Sequence, residues 1–221
     1  MIRMICLANS WREGGRCIAG IDICSGKWIR PVPPGGGPIP EKRTIVGRKP
    51  LAPLNRKPLA PLDVVELDLA RPTLSTRYQC ENCQIQDWKW RVVDRVEAHV
   101  LLPYCGKSAI VLHSYAKVVS PLYLESLAPE GWRSLELVHV TNLFFSRDPR
   151  KQNRWQARFS LSRTGPEYLL SVTDPQATER LNNGGRIDKE CLVTVSLTEP
   201  KKLSHELPEL CYKLVAAVIE M

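Results

Sequence analysis

The sequence has no long hydrophobic run. Nothing in its 221 residues approaches the ~20 consecutive apolar residues of a membrane-spanning helix. The apolar start, MIRMICLAN, is short and is interrupted by Arg3, so it does not resemble a secretory leader. The eight cysteines are scattered, and several lie in apolar runs, where a reduced thiol behaves as a small hydrophobe. We therefore expect a cytoplasmic protein without a membrane partner or structural disulfides.

Catalytic signatures are also missing. The chain contains no G-x-S-x-G turn, no P-loop, no H-E-x-x-H helix and no paired-carboxylate motif. Its four histidines stand apart, and His139 lies in an alternating apolar segment typical of a core residue. The sequence predicts a protein that is not an enzyme and binds no cofactor. A small hydrolase or nuclease that uses clustered His, Asp and Cys side chains has the least support.

Acidic residues are scarce in the first quarter of the chain. Residues 1–62 hold eleven lysines and arginines against three acids, Glu13, Asp22 and Glu41, whereas the remaining residues hold twenty of each sign. The whole net charge of +8 therefore lies in residues 1–62. A local surplus of this kind suits a polyanion, although a solvated basic face without a partner has the same composition.

The hydrophobic pattern predicts a mainly β fold. Alternating segments bounded by turn residues occur at 1–8, 16–23, 27–32, 63–70, 134–145, 154–163, 166–175, 191–200 and 211–220. Segment 88–97 suits a strand or a short helix, and segments 120–131 and 174–183 suit short helices. Two series of about five strands predict two small β-barrels in tandem. The predicted units are an N-terminal barrel at 1–120, a helical linker at 121–133 and a C-terminal barrel at 134–221.

A proline-rich insertion at 33–62 interrupts the first series. It leads into a tandem duplication, in which RKPLAPLN at 48–55 is followed directly by RKPLAPLD at 56–63. Two copies are too few for a solenoid, and their prolines disfavour a helix or a central strand. We interpret the repeat as a lengthened surface loop, with a proline-rich recognition segment as the alternative.

The opening segment, LANSWREGGRCIAGIDICSGKWIRPV, carries more aromatic and cationic residues than a simple meander needs. Alternation along the strand at 27–32 places Trp28 and Arg30 on one face. An indole beside a guanidinium suits an unpaired nucleic-acid strand, because bases stack on the ring while the cation meets phosphate. A buried Trp28 with Arg30 at a sheet edge is the structural alternative. The predicted loop after the first strand, 1–8, adds further candidates: Asn9, Ser10, Trp11, Arg12 and Arg16.

A second basic segment, residues 146–163, holds six basic residues and one acid, Asp148. Alternation places Arg154 and Arg158 on the face opposite Trp155 and Phe159. Such a face can contact phosphates and base edges, or it is simply solvated.

The sequence CENC at 80–83 contains a C-x-x-C pair. Zinc requires four ligands, and no second pair follows, while Cys105 and His113 have non-standard spacing. We expect no metal site, with zinc at Cys80 and Cys83 as the alternative.

Six blocks together resemble the dual OB-containing domain family of prokaryotes: CLANSWREGGRCIAGID, GKWIRPV, YQCEN, YLLSVTDP, CLVTVSLTEP and CYKLVAAVIE. The resemblance spans nearly the whole chain. It implies two OB-like barrels and a nucleic-acid-binding role, in proteins often linked to bacterial conflict systems. The family pattern, YQ-x-EN at this block, does not require the cysteine of YQCEN, and it lacks the RKPLAPL duplication. The positions it marks are Asn9, Ser10, Arg16, Trp28, Arg30, Thr173, Asp174 and Lys213.

These features predict a module that binds single-stranded DNA or RNA. Such a module would be an accessory protein of a prokaryotic nucleic-acid or defence system. The alternative is a protein-interaction or sensor subunit that docks on an effector nuclease or a ribonucleoprotein.

Overall fold

The computed structural model describes residues 1–48, 56–70, 78–202 and 208–221. The strands in these ranges form two sheets, so the predicted mainly β fold is confirmed. The strands are β1 (Ile2–Arg12), β2 (Gly15–Asp22), β3 (Trp28–Val32), β4 (Ile45–Arg48), β5 (Arg56–Pro58), β6 (Asp63–Leu69), β7 (Asn82–Arg95), β8 (Val118–Val119), β9 (Leu135–Val140), β10 (Phe144–Asp148), β11 (Lys151–Ser160), β12 (Glu167–Val172), β13 (Cys191–Leu197) and β14 (Cys211–Glu220). The helices are α1 (Pro121–Ser126) and α2 (Pro175–Asn182), with 3₁₀ turns at Glu41–Thr44, Ala98–Tyr104 and Pro129–Gly131. None of the helices in these ranges has the length and apolar character needed to cross a membrane.

Five strands close the first barrel. Antiparallel pairing runs from β3 through β2, β1 and β6 to β7, and parallel pairing between β3 and β7 completes the ring. This arrangement is the five-stranded Greek-key barrel of the OB fold. The hairpin of β4 and β5 extends the sheet beyond β7. Apolar side chains that include Met4, Ile18, Val65 and Trp90 fill the interior.

The second barrel repeats this strand order. Its sheet runs β10–β11–β12–β14–β13–β9, with β12 and β14 parallel. Strands β9 and β10 are the two edge strands of this sheet. Only three residues, 141–143, separate them in the chain, so this short link brings the two edges of the sheet together. The core is built around Val138, Phe159, Tyr168 and Val193.

The two barrels pack directly against each other. Outward-facing aliphatic side chains form one buried cluster: Ile5, Leu7 and Ile21 of the first barrel with Leu137, Leu192 and Ile219 of the second. Small side chains allow a second close contact: Ala8 and Ala19 with Ala216 and Ala217. A buried hydrogen bond also crosses the interface, from Thr194 Oγ1 to the Leu7 carbonyl at 2.7 Å. Strands β1 and β2 therefore lie against β9, β13 and β14.

Strand β1 is longer than the sequence predicts. Residues 9–16 are predicted as a loop, whereas β1 continues through Arg12 and β2 begins at Gly15, so that prediction is wrong. The turn between the strands contains Gly14 at φ +84°, a left-handed conformation that glycine adopts without strain. Because the strand continues, it buries Asn9 and Ser10, which a loop would have left in solvent.

The segment that follows the first barrel packs on the second. Strand β8 pairs with β14, and Val111, Leu112 and Leu124 lie in the core of the second barrel. Leu101 belongs to the interface cluster. The predicted division at residue 120 stays a prediction. Val111 and Leu112, which precede it, pack in the core of the second barrel.

Part of the predicted insertion at 33–62 has regular structure. Residues 49–55, which include most of the first RKPLAPL copy, lie outside the described residues. The second copy supplies β5 and then Leu59, which is 1% exposed in the first-barrel core. The second copy is therefore anchored to the barrel.

Candidate nucleic-acid interface

An exposed row of side chains crosses β10, β11 and β12 of the second barrel. Phe144 lies opposite Arg158, and Arg158 lies opposite Leu169. Phe144 is 49% exposed and Leu169 is 40% exposed. Arg158 has 52% of its side chain exposed. One sheet face thus presents an aromatic ring, a guanidinium and an aliphatic side chain to solvent.

A polar row lies beside this apolar and cationic one. Ser146 lies opposite Gln156, which lies opposite Ser171, and alternation along β11 places the exposed Arg154 on the same face. Hydroxyl and amide groups both donate and accept hydrogen bonds, so this row can contact phosphate oxygens or base edges. We call the surface formed by Phe144, Arg154, Gln156, Arg158 and Leu169 the β10–β12 face.

Two cations of this region remain available to an anion. Lys189 places its ammonium 4.9 Å from the centroid of the Phe144 ring. Arg158 lies 3.6 Å from Glu167, but both side chains of this pair are more than half exposed. Water and salt screen such a pair strongly, so it holds the guanidinium only weakly.

The end of the β10–β11 hairpin carries another cation on an aromatic ring. The Arg147 guanidinium lies 4.0 Å from the centroid of the Trp155 ring. Asn182 of α2 orients both groups, because its Oδ1 accepts from Arg147 Nη2 at 3.0 Å and from Trp155 Nε1 at 2.9 Å. The hairpin is therefore fixed against α2, with the exposed Arg150 in its turn.

The equivalent face of the first barrel is covered. OB folds bind oligonucleotides on the face of their second and third strands and on adjoining loops. These strands are β2 and β3 in the first barrel and β11 and β12 in the second. Ala19, Ile21 and the half-buried Trp28 of β2 and β3 all pack into the interface between the barrels. The two barrels therefore differ, because one such face is buried and the other is open.

A family model described as a dual OB-containing domain matches residues 2–218, nearly the whole chain. The chain belongs to the dual OB-containing domain family. The predicted family is thus confirmed, and the strand order of both sheets agrees with it. No curated protein and no solved structure matches the chain. Because OB folds commonly bind nucleic acids, family membership supports a module of nucleic-acid-binding type.

Trp28 and Arg30 of this dual OB protein do not form a solvent-exposed pair, so that prediction is wrong. Arg30 is 1% exposed. Its Nη2 donates to Ser134 Oγ at 3.0 Å, and the Ser134 N–H and O–H both donate to the Glu81 carboxylate at 2.6 Å. Alternation had placed the two side chains on one face, but it could not show that the second barrel covers that face.

Asn9 and Ser10 are also buried, at 9% and 6% exposure. Asn9 Nδ2 donates to the Leu59 carbonyl at 2.7 Å, which ties β1 to the middle of the second RKPLAPL copy. Ser10 Oγ donates to the Cys17 carbonyl at 3.4 Å across the β1–β2 pair. Their contacts serve the first barrel, and their side chains are not presented to solvent.

Thr173 and Asp174 connect β12 to α2 and to β14. Thr173 Oγ1 donates to the Val215 carbonyl at 3.1 Å. Asp174 is the N-cap of α2 and also accepts from the Val218 N–H at 2.9 Å. Burial raises the pKa of the Asp174 carboxyl even though backbone N–H groups donate to it. These marked positions therefore organise the second barrel.

Lys213 is a buried anchor rather than a surface cation. It is 2% exposed, and its Nζ donates to the carbonyl and the hydroxyl of Ser114, the latter at 3.0 Å. Burial lowers the pKa of Lys213 to about 8, against the opposing influence of Glu136. The lysine holds the segment before β8 on β14 and does not reach solvent.

Trp11 and Arg12 at the β1–β2 turn do reach the surface, whereas only 11% of the Arg16 side chain is exposed. Trp11 is 50% exposed, and the Arg16 guanidinium lies 3.9 Å from the centroid of its ring. Arg16 forms an ion pair with Glu41, and Arg12 pairs with Glu199 at 2.9 Å. Trp11 is therefore open to stacking, whereas both guanidiniums already have carboxylate partners.

Cys80 and Cys83 make separate contacts. The Cys80 thiol donates to the Trp132 carbonyl at 3.3 Å and the Cys83 thiol to the Glu81 carbonyl at 3.6 Å. Burial raises the pKa of Cys80 to about 12 and that of Cys83 to about 11, which disfavours the thiolates that zinc binds. Across the described part of the chain, no group of three or more His, Cys, Asp or Glu side chains is placed to hold a metal ion.

Sequence reasoning missed Phe144. In one uninterrupted strand over 134–145, Phe144 would point the same way as the core residues Val138 and Val140. The break at 141–143 reverses this direction. Asn142 supports the break, because it donates to Ser160 Oγ at 2.7 Å and accepts from the Ser160 N–H at 3.1 Å. The signal was an asparagine, a residue typical of turns, inside an apolar segment.

Proposed function

We propose that the protein binds single-stranded DNA or RNA through the β10–β12 face. The observation that carries the proposal is the exposed row of Phe144, Arg158 and Leu169. It lies on the strands that OB folds use to bind oligonucleotides. The corresponding face of the first barrel is buried, so the second barrel supplies the main binding surface.

Each part of the face has a chemical role. A base stacks on the Phe144 ring, and one stacked base contributes roughly 1–3 kcal/mol. Arg154, Arg158 and Lys189 contact phosphates, while Gln156 accepts from or donates to a base edge. A single strand exposes the faces of its bases, whereas a duplex hides them. We therefore expect a preference for single strands.

The single open face also sets the length of strand that is bound. One OB fold covers roughly 4–16 nucleotides, depending on the protein. Because the first barrel turns its face inward, the footprint should stay within that range rather than double.

The test is fluorescence anisotropy with labelled single-stranded DNA, single-stranded RNA and duplex, at several salt concentrations. The main variant is R154E/R158E, and the matched control is K27E/K107E, which reverses two positive charges elsewhere on the exposed surface. We expect R154E/R158E to weaken binding at least about tenfold, whereas the control stays close to wild type. The slope of log K against log salt should flatten by about 1.4 when two phosphate contacts on a single strand are lost.

A second variant, F144A, removes the stacking surface without changing charge. It should weaken binding about 5- to 150-fold, the equivalent of one stacked base, and leave the salt slope unchanged. Wild-type protein that binds no oligonucleotide, or equal losses in R154E/R158E and K27E/K107E, would overturn the proposal. The first of these results would favour the interaction subunit that docks on an effector nuclease or a ribonucleoprotein. An accessory role in a prokaryotic nucleic-acid or defence system stays a prediction.

A further inference from the structure

The first barrel has an aromatic groove, which lies away from its interface with the second barrel. The 3₁₀ turn before β4, β4 itself and the middle of β7 border a half-open groove of about 280 Å³. Its lining residues are Lys42, Arg43, Ile45, Val46, Trp88 and Trp90. We call it the Trp88 groove. None of these residues belongs to the β10–β12 face.

The indoles of the groove are held in a fixed arrangement. Trp90 is 6% exposed, and its Nε1 donates to the Asp87 carbonyl at 3.1 Å. The half-buried Trp88 stacks on Trp90 with 5.8 Å between ring centroids and 25° between planes. The Arg43 guanidinium lies 5.3 Å from the centroid of the Trp88 ring, a loose contact on an exposed side chain. The pair therefore offers a preformed aromatic surface beside an exposed cation.

The positive charge around this groove is not neutralised. Four other basic residues of the first quarter are occupied, because Arg3, Arg12 and Arg16 form ion pairs and Arg30 is buried. Within the described residues, Lys42, Arg43 and Lys57 form no ion pair. Lys57 lies on β5 opposite Val46, a lining residue. The neighbouring Asp87 is paired with Lys89 at 3.2 Å.

The lining specifies a planar ligand that carries negative charge. Indoles favour flat aromatic partners, and cations on one rim favour a phosphate. The cavity volume lies just below the roughly 300–1,000 Å³ of most ligand pockets, so it suits one small unit. A nucleotide has both parts, a base for Trp88 and a phosphate for Lys42 and Arg43.

We infer that the Trp88 groove binds a nucleotide, with its base on the Trp88 ring and its phosphate between Lys42 and Arg43. The inference is independent of the β10–β12 face. The nucleotide is either free or part of a strand, and the two sources share the same chemistry.

The experiment measures by titration calorimetry how the full chain binds four probes: adenosine 5′-monophosphate, adenosine, inorganic phosphate and hexadeoxyadenylate. K42E/R43E alters exposed side chains and should weaken binding of adenosine monophosphate at least about tenfold, whereas K27E/K107E should not. W88A should weaken it about 5- to 150-fold, and W88F should retain most of the affinity because a phenyl ring still stacks. Circular dichroism checks that each variant is folded, and K42E/R43E tests the site even if W88A does not fold.

The outcomes separate the two sources and the two sites. If K42E/R43E weakens adenosine monophosphate binding but leaves hexadeoxyadenylate binding intact, the groove takes a free nucleotide. If K42E/R43E weakens both probes, it takes a nucleotide of a strand. Wild-type protein that does not bind adenosine monophosphate, or binds it no better than phosphate, would overturn the inference. So would K42E/R43E with wild-type affinity, and neither result bears on the β10–β12 face.

Discussion

Replacing Arg30 by methionine tests whether this residue is structural or contacts a ligand. The guanidinium is buried and linked through Ser134 to the Glu81 carboxylate, which is 8% exposed. Removing one member of a buried charged network typically costs about 3–5 kcal/mol, because the other charge loses its compensation. In Arg30 itself, Nε has no hydrogen-bond partner among the described residues, and the contact to Asn82 is long at 3.5 Å. We therefore expect a loss near the lower end, about 3 kcal/mol.

Urea unfolding followed by tryptophan fluorescence measures this loss. Because a domain is typically stable by about 5–15 kcal/mol, R30M should still fold at low temperature and its midpoint should fall clearly. E81Q and the double variant complete a cycle, in which we expect a coupling of about 0.5–3 kcal/mol. A loss below about 1 kcal/mol, as for an exposed pair, would refute the structural role. Weaker oligonucleotide binding by R30M at unchanged stability would refute it as well.

Three further substitutions test the interface, a strand contact and a buried charge. T194V removes the buried hydrogen bond between the barrels and should lower the free energy of unfolding by about 1–3 kcal/mol in urea titrations. G20A would place a Cβ 2.1 Å from the Ile5 carbonyl oxygen and should lower the free energy of unfolding by at least about 2 kcal/mol. The Cβ of the control G47A meets no atom within 4 Å, so G47A should lower the melting temperature far less than G20A does. K213M should change the pH dependence of the unfolding free energy. In the wild-type protein the pKa of Lys213 is lowered from 10.5 to about 8. Between these pH values the unfolded chain binds more protons than the folded chain, so the contribution of the lysine to stability rises with pH. From about pH 7 to about pH 9.5, the unfolding free energy of wild type should gain about 2 kcal/mol relative to K213M, and a constant difference would contradict this.

The strands were predictable because their signals are local. The alternation in β2, β12 and β13 and the cap–proline start of α2 can be read within ten residues of sequence. Strand ends were harder to place. The run through Asn9 and Ser10 contains polar residues typical of a loop, yet both side chains find carbonyl partners inside the first barrel. A polar residue is tolerated in a buried strand when such a partner exists, and the partner of Asn9 is 50 residues away.

The candidate site was only partly predictable for a different reason. Arg154 and Arg158 lie on the face that their alternation predicts, and both side chains are exposed there. Trp28 and Arg30 satisfy the same local pattern, but another barrel covers them. Which of two similar sheets is covered depends on contacts between residues more than 100 positions apart, such as Thr194 with Leu7. No pattern within one strand contains that information.

Three polar groups in the family blocks join the two barrels together. Arg30 reaches the start of β9 through Ser134, Thr194 bonds to β1, and the Trp11 N–H donates to the Thr173 carbonyl at 2.8 Å. Each of these contacts crosses from one barrel to the other. A flexible pair of OB domains would need none of them and could present two binding faces. Here the contacts fix the barrels in one arrangement. The β2–β3 face of the first barrel is covered, whereas the β10–β12 face of the second barrel stays open to solvent.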